Sequence, residues 1–409
     1  MTRRVLVVSW EFPPLYGPRA TQVSRTVVTL PSLGWLPTVV TFEPRPGGPH
    51  PVDPIDGRPL AIEICGVRSP QDSLLVRAAF RIAPPLRDYP DPARVWVSRA
   101  ARAAIRAAGA HEFAGLLTFA QPWSDHLVGL RVHRATRLPW VAHFSDPWSD
   151  SPYATPRQRS IWRRMEEEVV REASAIVFVT AETADLVMRK YPAGWRDKVA
   201  VVPHGFHPAA PRAAVAGPRD RPIRLLYTGR FYRGVRTPIP LLRALAALNR
   251  RAPLADRLHA TFIGPHVEEY AADARALGVA PVTTFRGRMA PSEIARVGAD
   301  ADVLLVVDAP SEGSSVFLPS KLIDYLAYRK PILGITPADG ASAALLRRLG
   351  AHVAPPDDEA AIASALEDLI ARWRAGTLDV SPSFDAAAAE YDIRSTTKRL
   401  AAVLQRAFA

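Results

Sequence analysis

The stretch Val303-Leu-Leu-Val-Val-Asp-Ala-Pro-Ser-Glu-Gly-Ser-Ser-Val-Phe-Leu-Pro-Ser-Lys-Leu-Ile-Asp-Tyr-Leu-Ala-Tyr-Arg-Lys-Pro-Ile-Leu-Gly334 decides the fold. It begins with five consecutive apolar residues, which is typical of a buried strand in a parallel sheet. A loop with Gly and Ser follows. Apolar residues at helical spacing after Ser320 then predict a helix with Ser320 as its N-cap. Because Pro331 starts another apolar run, the stretch predicts a strand-loop-helix-strand unit.

Lys321 lies in the first turn of this predicted helix, where the helix dipole disfavours a cation. A cation is favourable there if an anion shares the helix N-terminus with it. The chain has five lysines against 47 arginines, so lysine is not its default basic residue. We therefore predict an anion site at Lys321. The alternative is an ordinary strand-loop-helix unit without a ligand.

Ser320-Lys-Leu-Ile-Asp-Tyr-Leu-Ala327 resembles the nucleotide-sugar site of the retaining GT-B glycosyltransferases, in particular the group-1 (GT4-like) family. One branch of that family has Ser-Lys-Leu-Phe-Glu-Tyr-Leu-Ala before a strand. The resemblance implies that Ser320 and Lys321 bind the donor, with Lys321 at its diphosphate, and that Asp324 binds the ribose hydroxyls. The first Glu of the family's pair falls on Val316. That contact is therefore missing or is supplied from elsewhere, for example by Glu312.

A second segment, Tyr227-Thr-Gly-Arg-Phe-Tyr-Arg-Gly-Val-Arg236, is similar to the family's Gly-Arg-Leu…Lys-Gly motif. The resemblance implies that Arg230 and Arg236 neutralise the diphosphate as the glycosidic bond breaks. Arg233 takes the place of Arg236 if the one-residue insertion is placed differently. Guanidinium groups suit this role because they bind phosphate oxygens bidentately. The alternative is a turn with solvated arginines.

The resemblance implies three further site positions. Arg288 and Met289, after a predicted strand, line the nucleotide base. Gly17 approaches the diphosphate, although Gly17-Pro18 replaces the family's Gly-Gly pair and so lacks one backbone N–H. Asp146, in His143-Phe-Ser-Asp-Pro-Trp-Ser149, lies on the acceptor side, where steering the acceptor and capping a helix remain alternatives.

Strand-like and helix-like segments alternate along the chain, and 409 residues exceed what one core usually supports. The series restarts after a linker rich in Ala, Pro and Arg. We predict an α/β fold with two doubly wound, Rossmann-like domains facing a cleft, the GT-B architecture of the resembled family. Residues 1–206 form the acceptor-side domain, with a C-terminal helix over 384–409 packing back onto it. Residues 207–383 form the nucleotide-sugar domain.

The net charge of +12 is spread over both halves, and we identify no basic-aromatic platform or recognition-helix pattern, so nucleic acid is not expected as a partner. Basic and apolar residues interleave over 74–106, which predicts either solvated surface helices or peripheral contact with an anionic membrane. The single cysteine and the lack of a spanning apolar run favour a cytoplasmic protein, at most on the inner membrane face.

The resemblance implies a retaining glycosyltransferase of EC class 2.4, in which the departing diphosphate oxygen deprotonates an acceptor hydroxyl. It implies a nucleotide-sugar donor, no cofactor and no metal, and it leaves the acceptor open. Asp300-Ala-Asp302 spells a metal motif of another glycosyltransferase fold, but its position predicts the start of a strand instead. Two alternatives remain, a non-catalytic nucleotide-sugar-binding homologue and, less favoured, a basic nucleic-acid-binding protein.

Overall fold

The computed structural model describes residues 3–45, 62–208, 220–311 and 313–409, and the chain divides into two compact units. The first unit comprises Met1–Gly205 together with Asp392–Ala409, and the second comprises Phe206–Tyr391. The region predicted as one helix over 384–409 contains two helices, of which the first belongs to the second unit and the second to the first unit.

The described part of the first unit contains one parallel sheet with the strand order β3-β2-β1-β4-β5-β6-β7. Its first strand pairs with two neighbours that come later in the chain, so the order reverses there, as in doubly wound folds. The strands are β1 (Arg3–Val8), β2 (Trp35–Phe42), β3 (Glu63–Val67), β4 (Gly115–Ala120), β5 (Trp140–Phe144), β6 (Ala175–Phe178) and β7 (Val199–Val201).

Helices cover both faces of this sheet, and two apolar clusters form the core of the unit. The C-terminal helix packs beside the first helix, and Phe408 at its end lies over the start of β4. Gly115 makes this possible, because a Cβ there would lie 2.4 Å from the Phe408 ring. The helices are α1 (Pro18–Thr29), α2 (Leu74–Ile82), α3 (Val97–Ala110), α4 (Ser124–Thr136), α5 (Pro156–Glu172), α6 (Ala181–Met188) and α14 (Ile393–Ala407).

The second unit also has one parallel sheet in its described part, with the order β10-β9-β8-β11-β12-β13. Its strands are β8 (Ile223–Thr228), β9 (Leu258–Ile263), β10 (Thr283–Arg286), β11 (Val303–Val307), β12 (Ile332–Ile335) and β13 (His352–Ala354). Its helices are α7 (Ile239–Arg251), α8 (Ala271–Ala276), α9 (Pro291–Asp300), α10 (Ser320–Leu326), α11 (Ala341–Arg348), α12 (Glu359–Arg374) and α13 (Phe384–Ala389).

The order reverses between β8 and β11, and the first residues after these two strands therefore lie at a topological switch point, where ligands bind in open α/β sheets. Every residue of β11 is buried, as the apolar run predicted. The predicted fold class, two doubly wound α/β sheets, is confirmed.

The chain enters and leaves the second unit at adjacent points. The backbone N–H of Phe206 donates to the carbonyl oxygen of Tyr391 at 3.0 Å. Of the predicted linker that follows, residues 209–219 lie outside the described residues. Across the described ranges, no helix combines the length and apolar character needed to cross a bilayer.

Candidate functional site

Helix α10 is fixed to the end of β8 by a buried tyrosine. The backbone N–H of Thr228 donates to the Tyr325 hydroxyl oxygen at 2.9 Å, and the two hydroxyl oxygens lie 3.1 Å apart. Burial raises the pKa of Tyr325 to about 12, so the phenol is neutral over the whole physiological range. Residues four positions apart share one face of a helix, so this anchor also sets the direction of Lys321.

The Lys321 side chain lies directly against Gly229, the first residue after β8. A Cβ on Gly229 would lie 2.1 Å from Lys321 Cε and 3.0 Å from its Nζ, and Gly229 has a φ of 156°. Burial lowers the pKa of Lys321 to about 8, assisted by the charge of Arg236 and opposed by that of Asp324. The lysine is therefore a cation at neutral pH whose charge is incompletely compensated.

Arg236 reaches the same strand end from the loop after β8. Its Nη2 donates to the carbonyl oxygen of Arg230 at 3.0 Å, and its Nε is buried with no hydrogen-bond partner among the described residues. Tyr232 lies beneath both arginines, with Arg236 5.2 Å and Arg230 5.8 Å from its ring centre. An unpaired buried N–H costs free energy, so an acceptor from a ligand would be favourable here.

The structure thus brings Lys321 and Arg236 close enough at the end of β8 for their charges to interact, and Arg230 lies near the same Tyr232 ring as Arg236. Asp324, half-buried one turn along α10 from Lys321, is close enough to act on the charge of the lysine. Ser320 is the first residue of α10, and Pro319 occupies the N-cap. The prediction of Ser320 as N-cap was therefore wrong, because the helix begins one residue earlier than the sequence pattern suggested. Glu312, the candidate replacement for the missing first Glu, lies outside the described residues.

The structure also shows the surroundings of three other predicted residues of the second unit. Arg233 points toward α8, where its Nη2 lies 3.3 Å from an Asp273 carboxylate oxygen and its guanidinium covers the Tyr270 ring. Arg288 is exposed in the loop after β10, and Met289 packs against an apolar cluster of the unit. The structure therefore favours Arg236 over Arg233 as the second arginine near Lys321.

Asp308, the first residue after β11, is a buried carboxyl that the sequence analysis missed. It accepts a hydrogen bond from the Thr336 hydroxyl at 3.0 Å, and burial raises its pKa while hydrogen bonds and the charge of Arg236 oppose the rise. Its position after a buried strand was a usable signal, because the carboxyl ends of neighbouring strands meet at one edge of a sheet.

In the first unit, Asp146 lies in a group of ionisable side chains gathered around Arg19. Burial raises the pKa of Asp146, and the Arg19 guanidinium opposes this rise. Arg19 donates to the carbonyl oxygen of Ala120, lies 3.5 Å from His204 Nε2, and has a buried Nε without a partner among the described residues. Arg19 was missed from the sequence, although it directly follows the Gly17-Pro18 pair singled out there.

Two histidines complete this group. The rings of His143 and His204 are stacked 5.7 Å apart, and Ser145 Oγ lies 3.3 Å from His204 Nε2. Burial, with Arg19 next in importance, holds the pKa of both imidazoles well below its usual range. A neutral imidazole can donate one hydrogen bond and accept another, so the two rings add polar groups to the surroundings of Asp146.

Gly17 is the N-cap of α1 and has an extended backbone, with a φ of 173°. A Cβ there would make only an ordinary 3.7 Å contact with the Glu11 carboxylate. The conformation of Gly17 therefore does not itself require glycine.

A buried ion cluster holds the loop that carries Asp146. Glu166 on α5 accepts hydrogen bonds from the Ser149 backbone N–H at 2.8 Å and from the Tyr191 hydroxyl at 2.7 Å. Lys190 forms ion pairs with both Glu166 and Asp150. The Glu166 side chain is completely buried, so these bonds replace its hydration and fix the loop to α5 and to the turn after α6.

Asp302, from the Asp300-Ala-Asp302 motif, forms its hydrogen bonds with two arginines. Arg221 binds it bidentately at 2.6 and 2.8 Å, and the backbone N–H of Arg224 donates to it at 2.9 Å. Although burial opposes the shift, these hydrogen bonds hold the pKa of Asp302 below its usual range. Among the residues that the structure describes, no group of three or more His, Cys, Asp or Glu side chains is arranged to hold a metal ion.

A model of a known protein family matches most of the second unit. Residues 222–372 match the family model described as glycosyl transferases group 1, in agreement with the group-1 resemblance predicted for this part of the chain. The matched range contains Arg230, Arg236, Lys321 and Asp324. No curated protein sequence matches the chain.

Three of the solved structures with the same fold have a sugar or a sugar nucleotide in their descriptions. Sucrose-phosphate synthase from Thermosynechococcus elongatus has a TM-score of 0.69 at 15% identity, over 99% of this chain and 98% of that one. Anabaena HepE in complex with UDP-glucose has a TM-score of 0.65 at 14% identity, over 99% of this chain and 100% of that one. An E. coli structure described as trehalose-6-phosphate bound with UDP-2-fluoro glucose has a TM-score of 0.63 at 14% identity, over 98% of this chain and 99% of that one. At such identities the likeness shows the fold, and the GT-B prediction is confirmed.

Proposed function

Because residues 222–372 form a group-1 glycosyltransferase domain, we propose that the protein transfers a sugar from a nucleoside diphosphate sugar to an acceptor hydroxyl, with retention of anomeric configuration. The observation that carries the proposal is the proximity of Lys321 and Arg236 at the end of β8, where Arg230 directly follows Gly229. In this proposal Lys321 and Arg236, joined by Arg230, provide the positive charge that a diphosphate needs, with the half-buried Asp324 carboxylate beside the lysine.

In this proposal the bond between the anomeric carbon and the diphosphate oxygen breaks while the acceptor oxygen bonds to that carbon on the same face. The acceptor proton passes to the departing diphosphate oxygen. Negative charge grows on the diphosphate as the bond breaks, and Lys321 and Arg236 stabilise it electrostatically. Asp324 accepts hydrogen bonds from the ribose hydroxyls.

Charge neutralisation by the protein makes a metal ion unnecessary in this proposal. Asp146 would orient the acceptor hydroxyl, and the charge of Arg19 would favour the ionised form of the Asp146 carboxyl.

The complex of HepE with UDP-glucose makes uridine nucleotides the first donors to test. Retention is supported by the likeness of the Ser320 to Ala327 segment to the retaining family.

The test is a calorimetric titration with UDP, ADP, GDP and their glucose derivatives, followed by a donor-turnover assay with the ligand that binds. We expect selective binding, weakened about tenfold or more in Lys321→Met, since a charge-assisted hydrogen bond contributes about 1.5–3 kcal/mol. Lys398→Met, which removes an exposed lysine from α14, is the matched control. No binding of any nucleotide by the folded protein would overturn the proposal.

Binding without turnover would instead support the non-catalytic alternative, for which Val316 in place of an acidic residue is the motivating feature. If turnover occurs, the configuration of the product at the anomeric carbon, read from its proton coupling constant by NMR, tests retention.

A further inference from the structure

We propose that α2 and the turn after it form a docking surface for an anionic lipid bilayer. The helix has no buried residue, which is unusual for a helix as apolar as Leu-Leu-Val-Arg-Ala-Ala-Phe-Arg-Ile. The side chains of Leu74, Leu75 and Ile82 are 80%, 84% and 83% exposed. Large aliphatic residues this exposed, three on one short helix, mark an interaction surface rather than normal surface variation.

The helix has three distinct sides. At 3.6 residues per turn, Leu74, Ala78 and Ile82 fall on one arc, with Leu75 beside them. The half-buried residues of the helix, Val76 and Phe80, fall on the opposite side. The arrangement thus directs an aliphatic face away from the protein body.

Arginines flank this face. Arg77 and Arg81 are exposed and fall together on the arc between the aliphatic face and the half-buried side. Arg87 in the following turn lies 5.7 Å from the Phe80 ring centre. The helix carries no acidic residue, and Asp88 in the turn accepts a hydrogen bond from Gln158 at 2.8 Å. An exposed aliphatic face bordered by arginines is the pattern of a helix that lies in a membrane interface.

The exposed aromatic and aliphatic residues continue past the helix. Leu86 and Tyr89 are 45% and 40% exposed, and Arg94 lies 4.5 Å from the Tyr89 ring centre. Tyrosine and arginine both place an apolar body in the interface and a polar end in water. The lipid surface therefore comprises residues 74–94. It is narrower than the stretch 74–106 predicted from sequence, because α3 buries Ala100, Ala101 and Ala104 in the core.

A second copy of this chain fits the surface less well than a lipid bilayer. In a symmetric dimer the same patch meets itself, so Arg77, Arg81 and Arg87 would approach their own counterparts. Such like-charge contacts are destabilising, whereas anionic headgroups would be attracted to all of them.

The test is co-sedimentation of the full-length protein with vesicles of phosphatidylcholine alone and of phosphatidylcholine with phosphatidylglycerol in equal parts. We expect binding to the anionic vesicles only, and weaker binding at higher salt because added ions screen exposed charges. In Arg77→Gln/Arg81→Gln the partition coefficient should fall about thirtyfold, since each arginine contributes about 1 kcal/mol near an anionic leaflet. Arg250→Gln/Arg275→Gln, which removes two exposed arginines of the second unit, should bind like the wild type.

A second pair of variants tests the aliphatic face of α2 in the same vesicle experiment. Leu75→Gln/Ile82→Gln should lower the partition coefficient about tenfold or more, while Leu36→Gln/Ile64→Gln, two partly exposed aliphatic residues of β2 and β3, should not. Thermal unfolding of each variant confirms that it is folded. Absence of anionic-vesicle binding at low salt would overturn the proposal. Loss of a solution dimer in the α2 variants would overturn it in favour of contact between copies.

The vesicle experiment is independent of the proposed function. A protein that binds nucleotide but ignores anionic vesicles retains the proposed activity and loses only the lipid surface. A protein that binds vesicles but no nucleotide shows the reverse.

Discussion

Lys321 and Gly229 come from different strand-loop segments and lie in direct contact, so that a Cβ on the glycine would approach Lys321 Cε to 2.1 Å. The contact couples the end of β8 to the first turn of α10. It also explains why the position after β8 carries no side chain, since any larger residue there would displace the lysine.

Gly229→Ala should therefore weaken nucleoside diphosphate binding about tenfold or more, because Lys321 must move from the site. Isothermal titration calorimetry measures this. Gly278→Ala is the control for backbone strain, since Gly278 has a φ of 72° but open space around its Cβ. If both variants bind nucleotide equally well, the contact has no role in binding.

Nucleotide affinity should fall as the pH rises above about 8. The pKa of Lys321 is lowered to about 8 by burial, so the free protein loses this charge above that pH. A bound diphosphate favours the charged lysine and raises its pKa in the complex. The dissociation constant should then rise up to about tenfold per pH unit until the pKa of the complex is reached.

The variant Lys321→Met should bind weakly at pH 7 and lose this pH dependence, while Lys398→Met should keep it. Calorimetric titrations with nucleotide between pH 7 and 9.5 measure this dependence of the dissociation constant on pH. A pH profile that is the same in wild type and Lys321→Met would assign the dependence to another group.

Addition of EDTA should leave transferase activity unchanged. The Asp302 carboxylate is hydrogen-bonded to Arg221 and Arg224. The proposed diphosphate site takes its positive charge from lysine and arginine side chains. Donor turnover measured with and without the chelator is sufficient, with recovery in added magnesium or manganese as the second measurement. Activity that is lost with EDTA and restored by either ion would show that a metal participates.

Lys190→Met should destabilise the protein by about 3 kcal/mol, because it leaves the buried Glu166 carboxylate without its counter-charge. Urea unfolding followed by tryptophan fluorescence measures the loss. Glu166→Gln/Lys190→Met, which removes both charges, should be less destabilised than Lys190→Met alone. Lys398→Met should stay within about 0.5 kcal/mol of the wild type. A small effect of Lys190→Met would mean that water reaches Glu166.

The elements that carry the second-unit site were readable from sequence because their signals are local. The apolar run of β11 and the helical spacing after Ser320 each lie within a few residues, and both elements formed as predicted. The same short segments supplied the candidate cations, whose role in binding stays a prediction. The sequence left Arg236 and Arg233 as alternatives for the second arginine near Lys321. Only the conformation of the loop after β8 distinguishes them.

The ion cluster around Glu166 could not be predicted in this way. Glu166 is the first of three consecutive glutamates in a helix, a pattern typical of a solvated face. Which of the three turns inward depends on how α5 packs against Ser149 and Lys190, and those partners lie 17 and 24 residues away. Arg19 was missed for the same reason, since its neighbours His204 and Asp146 are distant in sequence.

The hydrogen bond between Phe206 and Tyr391 has an evolutionary and engineering consequence. The second unit is a single continuous segment whose two ends meet, set into a first unit built from both ends of the chain. A segment of this kind can be exchanged as a whole for a homologous one without moving the two chain ends that receive it. Recombination at these two points would replace the proposed donor-binding unit while leaving the proposed lipid surface of the first unit in place.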